Sequence, residues 1–179
     1  MNSLSNWFNE KSVSTWEELT TYVRKIPYGR NSIRDDFSLV LIENRGTCSS
    51  KHALLKSLAS KFNQENVDLV LSIFKMNAKN TPLLNEILKK HSIDYIPEAH
   101  CYLKVNGVYQ DYTSEDTFYS KIKEDIINKI IIEPKQVIQY KIEYHQTFLK
   151  NWILETKQDK TFEEIWNIRE KCITKLSQN

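Results

Sequence analysis

The chain has 179 residues, a length that favours a single domain able to bury a core without disulfides or metal ions. Its 25 basic and 23 acidic residues are interspersed, so we expect no nucleic-acid partner. The longest strongly apolar stretch, residues 126–132, is too short to span a bilayer, and residues 1–10 lack a signal-peptide core. Because the three cysteines show no C-x-x-C spacing, we expect a cytoplasmic protein with reduced thiols, no metal, no cofactor and no membrane association.

Hydrophobic periodicity, turn residues and capping motifs predict the elements in chain order. They are a helix at 15–25 opened by a capping box from Ser14 to Glu17, a turn at 27–31, a strand or short helix at 37–42, a helix from Cys48 or Ser49 to Phe62, a strand at 67–76, a helix at 83–90, strands at 99–105 and 108–113, and helices at 117–131, 134–155 and 162–176.

These elements predict one α+β domain spanning residues 1–179. A small antiparallel sheet is expected to pack on the helix that begins near Cys48. Residues 28–113 form the predicted core, and residues 114–179 form a helical extension packed on it.

Cys48 lies in the first turn of a predicted helix, where unpaired N–H groups and the helix dipole lower the pKa of a thiol. Gly46, two residues earlier, is expected to let the chain enter the helix tightly and to leave room for a substrate. A small buried cysteine near a helix start fits the same pattern. Cys48 alone therefore does not separate a nucleophile from a core residue.

The Asn106-Gly107 pair is a strong hairpin signal, and a two-residue loop there fixes the strand register. This register pairs Tyr102 with Asp111, and it makes His100 a diagonal neighbour of Asp111 on one face, about 7 Å away at the backbone. A carboxylate at that distance can orient an imidazole and support its charge. A half-exposed polar pair is the alternative explanation.

The run Gly46-Thr47-Cys48 before an Ala- and Leu-rich helix, with His100 and Asp111 on successive strands, resembles the transglutaminase-like superfamily of papain-like cysteine enzymes over residues 37–113. The resemblance implies that Cys48 is a nucleophile, His100 a general base and acid, and Asp111 the orienting carboxylate. It further implies a cysteine-dependent acyl-transfer enzyme, a hydrolase or transamidase that acts on an amide or thioester carbonyl of a peptide, protein or small acyl substrate. Relatives often carry an aromatic residue soon after the histidine, a place that Tyr102 fills.

Acyl transfer also needs hydrogen-bond donors for an oxyanion, and the backbone N–H of Cys48 is one of them. The polar turn that contains Tyr28, Arg30 and Asn31 is the best source of a second donor or of substrate contacts. A polar surface turn explains the same residues.

Other functions fit parts of the sequence. Apolar residues recur at helical spacing from Ile138 to Trp152, and this stripe either packs on the domain's own sheet or forms a dimer or partner surface, as in a non-catalytic transglutaminase-like interaction module. The run Arg45-Gly46-Thr47-Cys48 keeps the first part of the R-G-G-x-C pattern of arylamine N-acetyltransferases, a lesser alternative. A zinc site with His100 and Cys101 is disfavoured, because neighbouring residues of a strand point to opposite faces.

Overall fold

A computed structural model describes residues 3–116 and 118–176 of the chain. Thr117, where a helix is predicted to begin, lies outside the described residues. The helices are α1 (Ser3–Glu10), α2 (Trp16–Lys25), α3 (Leu39–Ile42), α4 (Cys48–Leu58), α5 (Asn85–Lys90), α6 (Phe118–Ile122), α7 (Gln139–Glu155) and α8 (Phe162–Leu176). Short 3-10 turns lie at Ala59–Phe62, Pro82–Leu84, Lys123–Asp125 and Pro134–Val137.

Within the described residues, four antiparallel strands form a sheet in the order β3-β2-β1-β4. The strands are β1 (Val67–Asn77), β2 (Tyr95–Val105), β3 (Val108–Gln110) and β4 (Ile126–Ile132). β1 and β2 pair along their whole length, whereas β3 pairs only with the end of β2, from Leu103 to Val105. The predicted α+β fold with a small antiparallel sheet and C-terminal helices is confirmed.

Two capping boxes fix the starts of α2 and α4. The Thr15 hydroxyl accepts the Glu18 N–H, and the Glu18 carboxylate accepts the N–H groups of Thr15 and Ser14. The predicted box from Ser14 to Glu17 is therefore wrong by one residue, because Thr15 has the extended backbone of an N-cap. At α4 the Thr47 hydroxyl accepts the Ser50 N–H, which places Cys48 in the first helical turn.

The two faces of the sheet bury different clusters. Alternate residues of β1 and β2, such as Leu71 and Cys101, pack under α2 and α4, while Phe74 and Ile96 on the other face pack against α5, α7 and α8. Helix α7 spans both clusters: His145, Leu149 and Trp152 of its stripe are buried, and Tyr144 and Phe148 are partly buried against the core.

One part of the predicted helical extension is wrong. Residues 126–132 do not continue a helix but form β4, which pairs with β1 from Leu69 to Phe74. The run is rich in isoleucine, and β-branched residues favour a pleated strand where an open sheet edge is available. The extension 114–179 thus supplies one strand of the core sheet as well as α6, α7 and α8. No helix within the described ranges combines the length and apolar character needed to cross a bilayer.

Candidate active site

Cys48 begins α4, and the chain reaches it through a tight approach at Gly46. A Cβ at Gly46 would lie 2.8 Å from Cγ of Lys51 and 3.1 Å from Cγ1 of Val40. The space beside this glycine is therefore filled by the protein's own side chains, and the expectation that it leaves room for a substrate is wrong.

His100 and Asp111 are in direct contact. β3 ends at Gln110, so Asp111 leaves the strand ladder and the expected pairing of Tyr102 with Asp111 does not form. Asp111 Oδ2 lies 2.7 Å from His100 Nε2, while its Oδ1 accepts the Thr113 N–H at 2.9 Å. The bond to Asp111 uses Nε2 of His100. Nδ1 is therefore the ring nitrogen that remains for an interaction with the Cys48 thiol.

The electrostatic balance of this group favours a thiolate beside an imidazolium. Burial alone raises the pKa of the Cys48 thiol, but Lys141 and then His100 lower it to about 6. Burial alone lowers the pKa of His100, but the Asp111 carboxylate and then Cys48 raise it to about 10. His100 also holds the pKa of the buried Asp111 carboxyl far below its usual range, against the effect of burial. The ion pair is therefore the dominant form between about pH 6 and about pH 10.

Lys141 of α7 is a site residue that the sequence analysis missed. Its half-buried ammonium donates to Ser49 Oγ at 2.8 Å and lies 3.7 Å from Cys48 Sγ. The signal in the sequence was a basic residue three positions after Ile138 and four before His145, within an otherwise apolar helical stripe. A charge in such a stripe needs a partner, and here the partner is the thiol group.

Two further residues of α4 join the start of this helix to the segment that carries Asp111. His52 Nδ1 donates to the Cys48 carbonyl at 2.7 Å, and Nε2 accepts the Tyr112 N–H at 2.8 Å. Burial lowers the pKa of His52 to about 4, so the ring is neutral and this tautomer is fixed. The buried Lys51 ammonium donates to the Thr113 carbonyl at 2.7 Å. These bonds hold the start of α4 against residues 111–113.

Cys48 lies in the wall of a cavity of about 550 Å³. Its walls come from the turn after α2, from the start of α4, and from α7 and α8. Tyr28, Arg30 and Asn31, the predicted oxyanion or substrate residues, all line this cavity. They lie there because the Gly29 N–H donates to the Gly46 carbonyl at 3.2 Å and thereby ties the turn to the approach of Cys48.

These cavity residues are not equally available to a substrate. The Asn31 amide already donates to the Arg45 carbonyl at 2.9 Å and to Glu43 at 3.1 Å. Desolvation and then the Cys48 thiolate raise the pKa of Tyr28, so its phenol stays protonated and able to donate. Arg30 is exposed, and its Nη2 lies 4.0 Å from Glu170 of α8.

Tyr102, the fourth predicted substrate residue, lies outside the lining of this cavity. Its fully buried ring packs against Tyr109, Tyr119 and His100. Tyr102 thus packs beside the imidazole and does not line the cavity.

A buried ion pair fixes the C-terminal wall. Arg169 of α8 donates from Nε and Nη2 to both carboxylate oxygens of Glu98 on β2, at 2.7 and 2.6 Å. Burial raises the pKa of Glu98, but Arg169 and then His145 lower it to about 2. His145 of α7 lies beside the pair with Nε2 2.8 Å from the Pro97 carbonyl oxygen. This network anchors α7 and α8 to the strand that carries His100.

The remaining cysteines differ from Cys48 in their surroundings. Cys101 and Cys172 are fully buried free thiols, and burial raises the pKa of each to about 11. In the part of the chain that the structure describes, no group of three or more His, Cys, Asp or Glu side chains is arranged to hold a metal ion. Searches of protein-family models, curated proteins and solved structures with this chain gave no match.

Proposed function

We propose that the chain is a cysteine-dependent acyl-transfer enzyme of the transglutaminase-like kind. The observation that carries the proposal is the buried series of Cys48, His100 and Asp111, with Cys48 in the wall of a cavity and the His100–Asp111 bond at 2.7 Å. A thiol whose pKa is lowered to about 6 is a nucleophile at neutral pH, and an imidazolium next to it is a ready proton donor.

The proposed reaction has two halves. The Cys48 thiolate forms a bond to the substrate carbonyl carbon, and the electron pair of the carbonyl moves to its oxygen, which the Cys48 N–H stabilises. When the tetrahedral adduct collapses, His100 gives its proton to the leaving group and the thioester remains on Cys48. His100 then takes a proton from water or an amine, whose attack releases the acyl group and restores the thiolate.

The surroundings support this chemistry in two further ways. Asp111 binds one ring nitrogen of His100 and leaves the other for Cys48, whose pKa His100 lowers, and His52 donates to the Cys48 carbonyl. Cys48, Cys101 and Cys172 are all free, which supports a reducing, cytoplasmic location as part of the proposal. The cavity fits a peptide segment or a small acyl group as substrate.

The proposal is tested by acylation with p-nitrophenyl acetate, in the wild type and in Cys48→Ser and His100→Ala. We expect a burst of nitrophenolate and an acetyl adduct that mass spectrometry places on Cys48. Cys48→Ser should abolish the burst, and His100→Ala should slow it by about 10²–10⁴-fold. If Cys48 is alkylated readily but is never acylated, the chain is a non-catalytic interaction module.

A further inference from the structure

The second donor for the oxyanion is the least defined part of the proposed site. The amides of Cys48 and Ser49 lie in the first turn of α4, where a helix provides no backbone acceptor. The turn after α2 contributes less than its sequence indicates, since the Asn31 amide is occupied and Arg30 is exposed next to Glu170. A second side of the sulfur is contacted by α7.

Lys141 is the cation on that side. Nζ lies 3.7 Å from Cys48 Sγ, and the hydrogen bond to Ser49 Oγ holds it there. No carboxylate in the described part of the chain forms an ion pair with this ammonium. Cys101 and Cys48, which lie beside it, and Glu98 raise its pKa against the effect of burial, so Lys141 stays protonated.

Two ammonium groups act on the charges of this site: the buried Lys51 interacts with Asp111 and Cys48, and Lys141 lies 3.7 Å from the sulfur. Thiolate, imidazolium and carboxylate together carry one net negative charge. During acylation this charge moves from the sulfur to the carbonyl oxygen. A fixed cation that lies nearer to the oxygen than to the sulfur therefore favours the transition state over the resting thiolate.

The distances allow that arrangement. A separation of 3.7 Å between Nζ and Sγ leaves room for an oxygen on the carbon bound to sulfur to lie about 2.7–3.1 Å from Nζ, the range of an oxyanion donor. The anchoring of His145 on the following turn of α7, to the Pro97 carbonyl, keeps the helix in place.

We propose that Lys141 is a catalytic residue of this site, whose ammonium stabilises the oxyanion together with the Cys48 N–H. This inference rests on the proposed acyl transfer. It assigns to α7 the role that the turn at Tyr28, Arg30 and Asn31 was expected to fill.

Two reactions of the same sulfur separate this role from a simple effect on the thiolate. Alkylation by iodoacetamide forms no oxyanion, whereas acylation by p-nitrophenyl acetate does, and both rates depend on the fraction of thiolate. The ratio of the acylation rate to the alkylation rate at Cys48 therefore does not depend on the fraction of thiolate. Loss of an oxyanion donor typically costs about 10²–10³ in rate, and we expect Lys141→Met to lower the ratio by about 10- to 100-fold because the Cys48 N–H remains.

The matched variants are Lys141→Arg, which keeps the cation, and Lys150→Met, which removes an exposed lysine from the same helix. We expect Lys141→Arg to recover much of the ratio and Lys150→Met to leave it unchanged. Thermal unfolding monitored by circular dichroism establishes that each variant is folded.

The inference is overturned if Lys141→Met lowers both rates equally, because Lys141 then only sets the thiolate population. It is also overturned if Tyr28→Phe, and not Lys141→Met, lowers the ratio, because the phenol is then the second donor. If wild-type Cys48 is alkylated but not acylated, the proposed acyl transfer itself fails and this role fails with it. A wild type that is acylated, with a ratio unchanged in Lys141→Met, refutes the role of Lys141 alone.

Discussion

The pH dependence of Cys48 alkylation gives a direct measure of the ion pair, and low pH is where it differs most from an ordinary thiol. With its pKa lowered to about 6, Cys48 is about one-tenth thiolate at pH 5, whereas a thiol of pKa about 8.5 is only about 0.03% thiolate. A thiolate of lower pKa is also intrinsically less nucleophilic, by about tenfold over this interval. The net advantage of Cys48 is thus about 20-fold at pH 5 but only about twofold at pH 7.

The perturbation that tests the cause is His100→Ala. Removing a cation that lies close to a thiol raises the pKa of the thiol by about 1 to 3 pH units. The pH profile of Cys48 alkylation should therefore move to higher pH by that amount. Iodoacetamide labelling of each cysteine from pH 5 to pH 9, followed by mass spectrometry, measures the profile. Cys101 and Cys172 serve as internal references, since burial raises the pKa of each to about 11.

One result would refute the reasoning about the pair. If accessible Cys48 in the native protein reacts at pH 5 no faster than a peptide thiol, the sulfur is not a stabilised thiolate. A profile that stays in place after His100→Ala would assign the lowered pKa to Lys141 alone.

Three further predictions concern the support of the site. Asp111→Asn removes the carboxylate that orients His100, and we expect acylation to slow by about 10²–10⁴-fold while the fold is retained, as measured with p-nitrophenyl acetate and circular dichroism. Burial lowers the pKa of His52 to about 4, so between about pH 6.5 and pH 4 the unfolded chain binds a proton that the folded protein does not, and the free energy of unfolding should fall by up to about 3 kcal/mol as the pH falls. The free energy of unfolding of His52→Asn, measured with urea, should not show this decrease. A pH dependence equal to that of the wild type would contradict the lowered pKa of His52. Gly46→Ala places a Cβ 2.8 Å from a neighbouring side chain and should destabilise the protein by about 1–3 kcal/mol, whereas Gly29→Ala, with its nearest contact at 3.6 Å, should change the stability little.

The sequence predicted the parts of the site that follow from local rules. The two-residue loop at Asn106-Gly107 fixes the register of β2 and β3 as far as Leu103 and Gln110, and Asp111, the next residue, contacts His100 from just beyond the strand. The spacing of apolar residues predicted a helix that begins at Cys48 or Ser49, and α4 does begin at Cys48. Each of these signals spans only a few residues, so no knowledge of the tertiary structure was needed to read them.

The parts that the sequence did not predict depend on contacts between distant segments. The isoleucine-rich run of β4 is compatible with a helix or a strand, and the free edge of β1 decides between them. Lys141 lies 93 residues after Cys48, and only the packing of α7 against α4 and β2 brings its ammonium to the sulfur. Periodicity reveals a charged residue within an apolar stripe, but it does not identify the group with which that charge interacts.

The position of Arg169 divides the site into parts that can change independently during evolution. The groups of the proposed reaction belong to α4, β2 and the segment after β3, whereas part of the cavity wall belongs to α8. The buried Glu98–Arg169 pair sets where that helix lies on the strand. Substitutions along α8 that keep this pair can alter the size and charge of what the cavity accepts without touching the thiol, the imidazole or the carboxylate. For the proposed enzyme, the substrate range can therefore change through α8 while the residues of the proposed reaction stay the same.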